Sequence, residues 1–191
     1  MIGYGYQSYI MNLTDEAMNV VRKSIQETKL DWQKSELQEG TDSTKRNSEH
    51  VWIKNYDLDQ LLMKMVKHAN QEMGWFLNVD EVEPVQFGVY PVGGKYEWHI
   101  DQHPTILVNR KRQPAVRKIS MSLFYSNPDE YEGGDLDLEL YKPGTDPRYQ
   151  SYKLEKGSAI FFPSTMWHRV TPVTSGVRKS IVAWFTGPPY V

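Results

Sequence analysis

Tyr96-Glu97-Trp98-His99-Ile100-Asp101, answered much later by Trp167-His168-Arg169-Val170, is the stretch from which the rest of the chain can be read. His99 and Asp101 stand two residues apart, and His168 completes a His-x-Asp…His set. Two imidazoles and one carboxylate are the ligands of the facial triad that holds non-haem Fe(II) and leaves open positions for oxygen chemistry. The pair alone is weak evidence. With 5 His and 11 Asp in 191 residues, about 0.3 His-x-Asp pairs arise by chance. The setting adds weight. On a strand, His99 and Asp101 have the same parity and project from one face, as two ligands of one ion must. Val85-Gln86-Phe87-Gly88-Val89-Tyr90 and Ser158-Ala159-Ile160-Phe161-Phe162, which precede the two halves of the set, both read as strands.

Arg178 follows His168 by ten residues, in Val177-Arg178-Lys179-Ser180-Ile181-Val182-Ala183-Trp184-Phe185. The run has the β-branched and aromatic character of a strand. An arginine between apolar strand neighbours is rarely buried without an anion. A metal-bound 2-oxo acid with a distal carboxylate needs such a fixed cation, and guanidinium offers two parallel donors to it.

Several further blocks occur in one order: Val89-Tyr90-Pro91, Leu123-Phe124-Tyr125-Ser126-Asn127, Glu132-Gly133-Gly134-Asp135-Leu136, His168-Arg169-Val170-Thr171-Pro172-Val173, Gly176-Val177-Arg178 and Trp184-Phe185. With them, segment 84–187 resembles the catalytic core of the 2-oxoglutarate- and Fe(II)-dependent oxygenases. It is most similar to their prolyl 4-hydroxylase branch, which includes the PKHD-type and hypoxia-sensing hydroxylases. The resemblance implies a double-stranded β-helix (jelly-roll) core and Fe(II) held by His99, Asp101 and His168. It also implies 2-oxoglutarate as cosubstrate, O2 as oxidant and, as often in the family, ascorbate to keep the iron reduced. By the same resemblance Arg178 and Tyr125 bind the distal carboxylate of the cosubstrate, Tyr90 belongs to its pocket, and Tyr96, Trp184 and Arg117 border the substrate. Asp101 favours hydroxylation, since related halogenases lack that carboxylate.

Composition sets outer bounds. A chain of 191 residues suits one domain with its own core: 1–83 as a helical support region with a lid loop, 84–187 as the catalytic core. Charged residues make up 24% with a net charge of −2, so no global field invites nucleic acid or a membrane surface. The first residues carry neither a basic region nor an apolar run, and cysteine is absent. A cytoplasmic protein is expected, without disulfides or thiolate metal sites.

Asp15 to Lys29 reads as a helix capped by Thr14, with Ala17, Val20, Val21 and Ile25 on its apolar face. A second helix from about Leu58 to Met73 buries Leu58, Leu61, Leu62, Met65, Val66 and Ala69, with Asp57 and Gln60 resembling a capping box. The polar stretch Gln33 to Glu49 reads as a long surface loop. From Trp75 onward, short strands alternate with Gly- and Pro-containing turns, as in a jelly roll. Asp135, Asp137 and Glu139 alternate with leucines and read as a polar strand face. His50 and His68 read as solvated, His103 as a loop residue, and the basic stretch Asn109 to Lys118 as a solvated loop.

The leading expectation is a hydroxylase of a prolyl residue in a protein or peptide. The runner-up is a hydroxylase of a free amino acid or other small molecule; a metal-retaining but silent jelly-roll module is a third reading. Nucleic-acid demethylation is disfavoured. Such enzymes usually carry a second Arg six residues after the first, and here that position is Trp184.

Overall fold

The computed structural model describes residues 8–29, 31–34, 46–102, 106–110, 112–140, 144 and 146–190. The chain begins with β1 (Tyr9–Asn12), α1 (Asp15–Glu27), β2 (Gln33–Lys34), β3 (Arg46–Asn47), β4 (Glu49–Ile53) and α2 (Tyr56–Glu72). Then come β5 (Glu81–Val82), β6 (Val85–Tyr90), β7 (Lys95–His99), β8 (Leu107–Val108), β9 (Pro114–Phe124), β10 (Tyr131–Gly133) and β11 (Leu136–Glu139). The last are β12 (Tyr149–Tyr152), β13 (Ser158–Pro163), β14 (His168–Val170), β15 (Val173–Gly176) and β16 (Arg178–Gly187).

A large sheet runs β1-β13-β9-β16-β6-β4-β2, with β5 added to β16 and β8 to β9; a smaller sheet runs β12-β11-β14-β7-β3. Every pairing is antiparallel. Two facing antiparallel sheets with crossed-over strand order make a jelly roll, the expected double-stranded β-helix, mainly β with N-terminal helices.

Each face of the large sheet has its own packing partner. One face meets the helices. Met18 and Val21 of α1 and Leu58, Leu62, Met65, Val66 and Ala69 of α2 form one cluster with Ile53, Val85, Phe87, Met121, Leu123, Phe161, Ile181 and Phe185. Leu58 and Leu62 are 0% exposed, and each such side chain contributes roughly 1.5–3 kcal/mol of burial free energy. The opposite face meets the smaller sheet through Tyr90, Phe124, Ile160, Phe162, Leu136, Leu138, Val170 and Val173. The candidate site lies between the two sheets.

The first helix is capped as its sequence implies: the Thr14 side chain accepts from the Ala17 amide. The second starts two residues before the expected position, because Asn55 is the cap that accepts from the Leu58 amide. The ends of the Gln33–Glu49 stretch are strands rather than loop. Gln33 and Lys34 pair with His50 and Glu49, and Arg46 and Asn47 pair with Tyr96 and Lys95; residues 35–45 lie outside the described set. The basic stretch is not a solvated loop. From Pro114 it is strand β9, Arg110 pairs with Asp59 at 3.0 Å, and Lys118 is buried. Asp137 is 0% exposed and pairs with Arg169 at 2.7 Å, so the β11 acids do not form a polar outer face. His50 is 6% exposed, whereas His68 is on the surface. His103 is outside the described residues. No helix among those residues is long and apolar enough to cross a membrane.

Candidate active site

His99 ends β7 and His168 begins β14, and the two are register partners. Asp101 is not on a strand. It sits in the bend after β7, where its amide and that of Gln102 both donate to the Ser164 carbonyl. One ligand atom from each of His99, Asp101 and His168 lies within 4.8 Å of the others, and this is the one such cluster among the described residues. Asp101 Oδ1 is 3.7 Å from His99 Nε2, and Oδ2 is 3.5 Å from His168 Nε2.

Both imidazoles are oriented from behind. His99 Nδ1 lies 2.8 Å from the Glu97 carbonyl and His168 Nδ1 3.0 Å from the Met166 carbonyl. A carbonyl only accepts, so Nδ1 carries the proton in each ring and both Nε2 lone pairs are turned to the same point. Burial, then the neighbouring His168, lowers the His99 pKa to about 3. Burial of Asp101 acts to raise its pKa, but His168, His99, Arg117 and a hydrogen bond from Ser120 outweigh it and hold the carboxyl at about 2. Neutral imidazole beside ionised carboxylate is the protonation state that metal binding requires. The donor set therefore fits a divalent iron with three ligands on one face.

A β-bulge shapes the wall beside the ligands. His168 faces His99 while Val170 faces Tyr96, so β7 has one extra residue. Tyr96 and His99 would point to opposite faces of a regular strand; the bulge puts them on one face, where their rings stack at 3.5 Å and 15°. Burial pushes the Tyr96 hydroxyl pKa up to about 12.

The opposite wall comes from alternate residues of the large sheet. Register rows place Gln86, Val182 and Ser122 side by side, then Gly88, Ser180 and Phe124, then Tyr90 and Arg178. The cavity between the walls contains about 430 Å³ including its open mouth, and its lining includes Tyr90, Tyr96, Arg178, Trp184 and the three ligand residues. Arg178 is 1% exposed. Its Nη1 donates to Ser180 Oγ at 3.0 Å and the Tyr131 hydroxyl lies beside it; among the described residues no carboxylate forms an ion pair with it, Asp135 acting on it only from a greater distance. A buried guanidinium without a counter-anion is costly unless a ligand supplies one.

The sequence-predicted residues divide here. Tyr90, Tyr96, Trp184 and Arg178 reach the cavity with the ligands. Tyr125 does not. Its ring packs on Phe87 at 5.4 Å, on the helix-covered face, while Phe124 stands 5.6 Å from the Arg178 guanidinium. On β9 the even positions face the cavity, so a reading displaced by one residue exchanges the faces. Arg117 is not a cavity residue either. It makes two 2.7 Å bonds to Glu83, lies 4.1 Å over the Trp184 ring and donates to the Asp101 carbonyl at 3.4 Å. It positions Trp184 and Asp101, and its charge acts on Asp101 rather than facing the cavity.

Four residues near the site have no counterpart in the sequence reading: Arg46, Gln86, Ser180 and Tyr131. The first three line the cavity. Tyr131 has a buried hydroxyl that sits beside the Arg178 guanidinium and lies against Gly134, whose missing Cβ would stand 3.1 Å from Arg178 Cδ. The Tyr131 and Gly134 neighbourhood was accessible in the Tyr131-Glu132-Gly133-Gly134 run; nothing in the sequence brings Arg46 or Gln86 to the site.

A family model described as the 2OG-Fe(II) oxygenase superfamily matches residues 85–186. A PKHD-type hydroxylase of Teredinibacter turnerae is 38% identical over 105 residues, 55% of this chain and 43% of that protein. One of Psychrobacter sp. is 28% identical over 183 residues, covering 92% of this chain and 67% of that protein. The chain thus spans about two-fifths of the length of the first of these relatives. Among solved structures, a Pseudomonas putida prolyl-4-hydroxylase superposes with a TM-score of 0.69 at 22% identity, covering 95% and 93% of the two chains. A viral collagen prolyl hydroxylase from Paramecium Bursaria Chlorella virus-1, in a 2OG complex, gives 0.66 at 20% identity, covering 96% and 97%. At such identity these two establish the shared fold. With a matching family model over more than half its length and a buried His-Asp-His cluster, this chain belongs to the 2-oxoglutarate- and Fe(II)-dependent oxygenase superfamily.

Proposed function

We propose that the protein hydroxylates a prolyl residue of a protein or peptide, consuming 2-oxoglutarate and O2 and releasing succinate and CO2. The observation that carries the reading is Arg178: a buried cation with no ion-pair partner among the described residues, lining one cavity with three converging metal ligands. When bound, the iron activates O2 against the 2-oxo acid and so supplies the oxidant for the C–H bond. The chain's own residues do the rest. His99 Nε2, His168 Nε2 and the Asp101 carboxylate hold the ion. Arg178, steadied by Ser180, receives the distal carboxylate of the cosubstrate in a charge-assisted pair. Leu136, Phe162 and Val170 keep that part of the cavity apolar, which limits water and side reactions. Trp184, clamped from behind by Arg117 and Glu83, and Tyr96 offer aromatic walls suited to a pyrrolidine ring.

The prolyl substrate is further supported by the names of the relatives, PKHD-type hydroxylases and prolyl 4-hydroxylases. A solved neighbour from Trichoplax adhaerens is titled as a complex with a hypoxia inducible factor peptide fragment. A second reading, hydroxylation of a free amino acid, draws on Arg46, a cation of the same cavity with no carboxylate partner among the described residues. The test is incubation with Fe(II), 2-oxoglutarate and a panel of proline-containing peptides under air, following succinate and peptide mass. Peptide-stimulated succinate with a matching gain of one oxygen is expected. Succinate without stimulation by any peptide would refute the peptide reading and direct the search to small molecules.

A further inference from the structure

Arg46 is the second cation of the cavity and the mechanism above leaves it unused. It sits on β3 opposite Tyr96, and its guanidinium lies 4.5 Å over the Tyr96 ring, which in turn stacks on His99. One ring, that of Tyr96, therefore separates it from an iron ligand, and it lines the cavity. Its Nε donates to Ser48 Oγ at 3.2 Å and its Nη2 to Gln86 Oε1 at 3.0 Å. Both acceptors are neutral. Two other arginines of the sheets, outside the cavity lining, are neutralised directly, Arg117 by Glu83 and Arg169 by Asp137. Arg46 has no carboxylate partner among the described residues.

The remaining polar lining is unusually one-sided. Trp184 Nε1 is a buried donor without a partner. Gln86 turns its oxygen to Arg46, so the group it can offer a ligand is its amide nitrogen, which only donates. The one acidic side chain of the described lining, Asp101, belongs to the metal. Charge gives the same answer. Iron with Asp101 carries one positive charge and Arg178 a second, and the two carboxylates of 2-oxoglutarate balance both. Among the described residues the charge on Arg46 then has no carboxylate partner inside the loaded cavity, where a low dielectric makes an unbalanced charge costly.

We infer that the substrate carries a carboxylate close to the hydroxylated ring, and that Arg46, with donors from Gln86 and Trp184 beside it, is the residue that receives it. This rests on the prolyl reading only for the identity of the ring. The carboxylate has two sources, an acidic residue next to the target proline in a peptide or the terminal carboxylate of proline itself. Arg46 would thus determine specificity by charge.

The test measures binding to the anaerobic protein loaded with Fe(II) and 2-oxoglutarate, by calorimetry. Two pairs are compared: a peptide with Glu beside proline against its Gln twin, and N-acetylproline against N-acetylprolinamide. In one pair the acid should bind about tenfold tighter than its amide twin, as a partly buried charge pair requires, and the pair that shows it identifies the source. The preference should vanish in Arg46→Gln and reverse in Arg46→Glu. Equal binding of acid and amide in both pairs by the unaltered protein would overturn the inference without recourse to any variant, as would a preference that persists in Arg46→Glu. Admission of air and mass analysis then address the prolyl reading separately. A tightly bound acid that gains no oxygen on its ring would sink that reading and leave the role of Arg46 standing.

Discussion

Arg178 is among the largest fully buried side chains of the described residues, yet the side-chain partners it has among them are hydroxyls, those of Ser180 and Tyr131. Its value lies in the planar fork that matches a carboxylate. Arg178→Lys keeps the charge and loses the second parallel donor. Loss of one charge-assisted hydrogen bond costs roughly 1.5–3 kcal/mol, about ten- to a hundredfold in affinity. The KM for 2-oxoglutarate should rise by that factor in steady-state assays, with a smaller change in kcat; an unchanged KM would separate Arg178 from the cosubstrate. His50 yields a prediction in pH. Burial first, then the adjacent Arg46, lowers its pKa from 6.5 to about 4, so the unfolded chain takes up a proton at a higher pH than the folded one. Stability of the metal-free protein should fall as pH drops from about 6.5 to about 4, His99 acting in the same direction. The urea midpoint of His50→Gln should fall less steeply over that window; parallel curves would contradict the assignment. At this scale the metal ligands and Arg178 were legible because their chemistry is specific to their residue types and spacing. The face of Tyr125, the burial of His50 and the pairing of Arg117 were not, because each depends on a neighbour distant in sequence.

The elements that were easiest to read are those with a strong period. The apolar stripe of α2, the β6 run and the β13 run appear close to their expected bounds. The short strands β2 and β3 escaped because two polar residues carry no period, and their place is set by His50 and Tyr96 across the sheets. The β7 bulge was equally silent in the sequence, although it is what stacks Tyr96 on His99. The Gly133-Gly134 corner after β10 is an element whose sequence and role do agree. Both glycines have positive φ, and a Cβ on Gly133 would stand 2.2 Å from the Pro172 carbonyl oxygen. A Cβ on Gly134 would stand 2.9 Å from Val173 Cγ2 and 3.1 Å from Arg178 Cδ. Gly134→Ala should therefore both destabilise the fold and raise the KM for 2-oxoglutarate. Gly144→Ala is the control: φ is +79 there, but no atom lies within 4 Å of the new methyl, so it costs only the left-handed strain of about 1–2 kcal/mol. If the two variants have the same KM, the corner does not position Arg178.

The whole molecule works as two sheets held apart at the ligand end and closed by apolar side chains elsewhere. The helices brace the outer face of the large sheet, which keeps β6, β9 and β16 rigid enough to aim Tyr90, Ser122 and Arg178 inward. The jelly roll was readable from strand and turn spacing together with the family motifs, whereas the cavity residues Arg46 and Gln86 emerge only from the folded sheets. On the proposed function, the same frame would fix metal and cosubstrate, and the other cavity residues would select what is hydroxylated. Conversion of 2-oxoglutarate to succinate by the Fe(II)-supplemented protein under air, run beside Asp101→Ala, tests the central claim most directly. The unaltered protein should form succinate and Asp101→Ala should form none above the protein-free background. Succinate formed at an equal rate by Asp101→Ala would contradict the account, because the His99-Asp101-His168 cluster would then not be the seat of the chemistry.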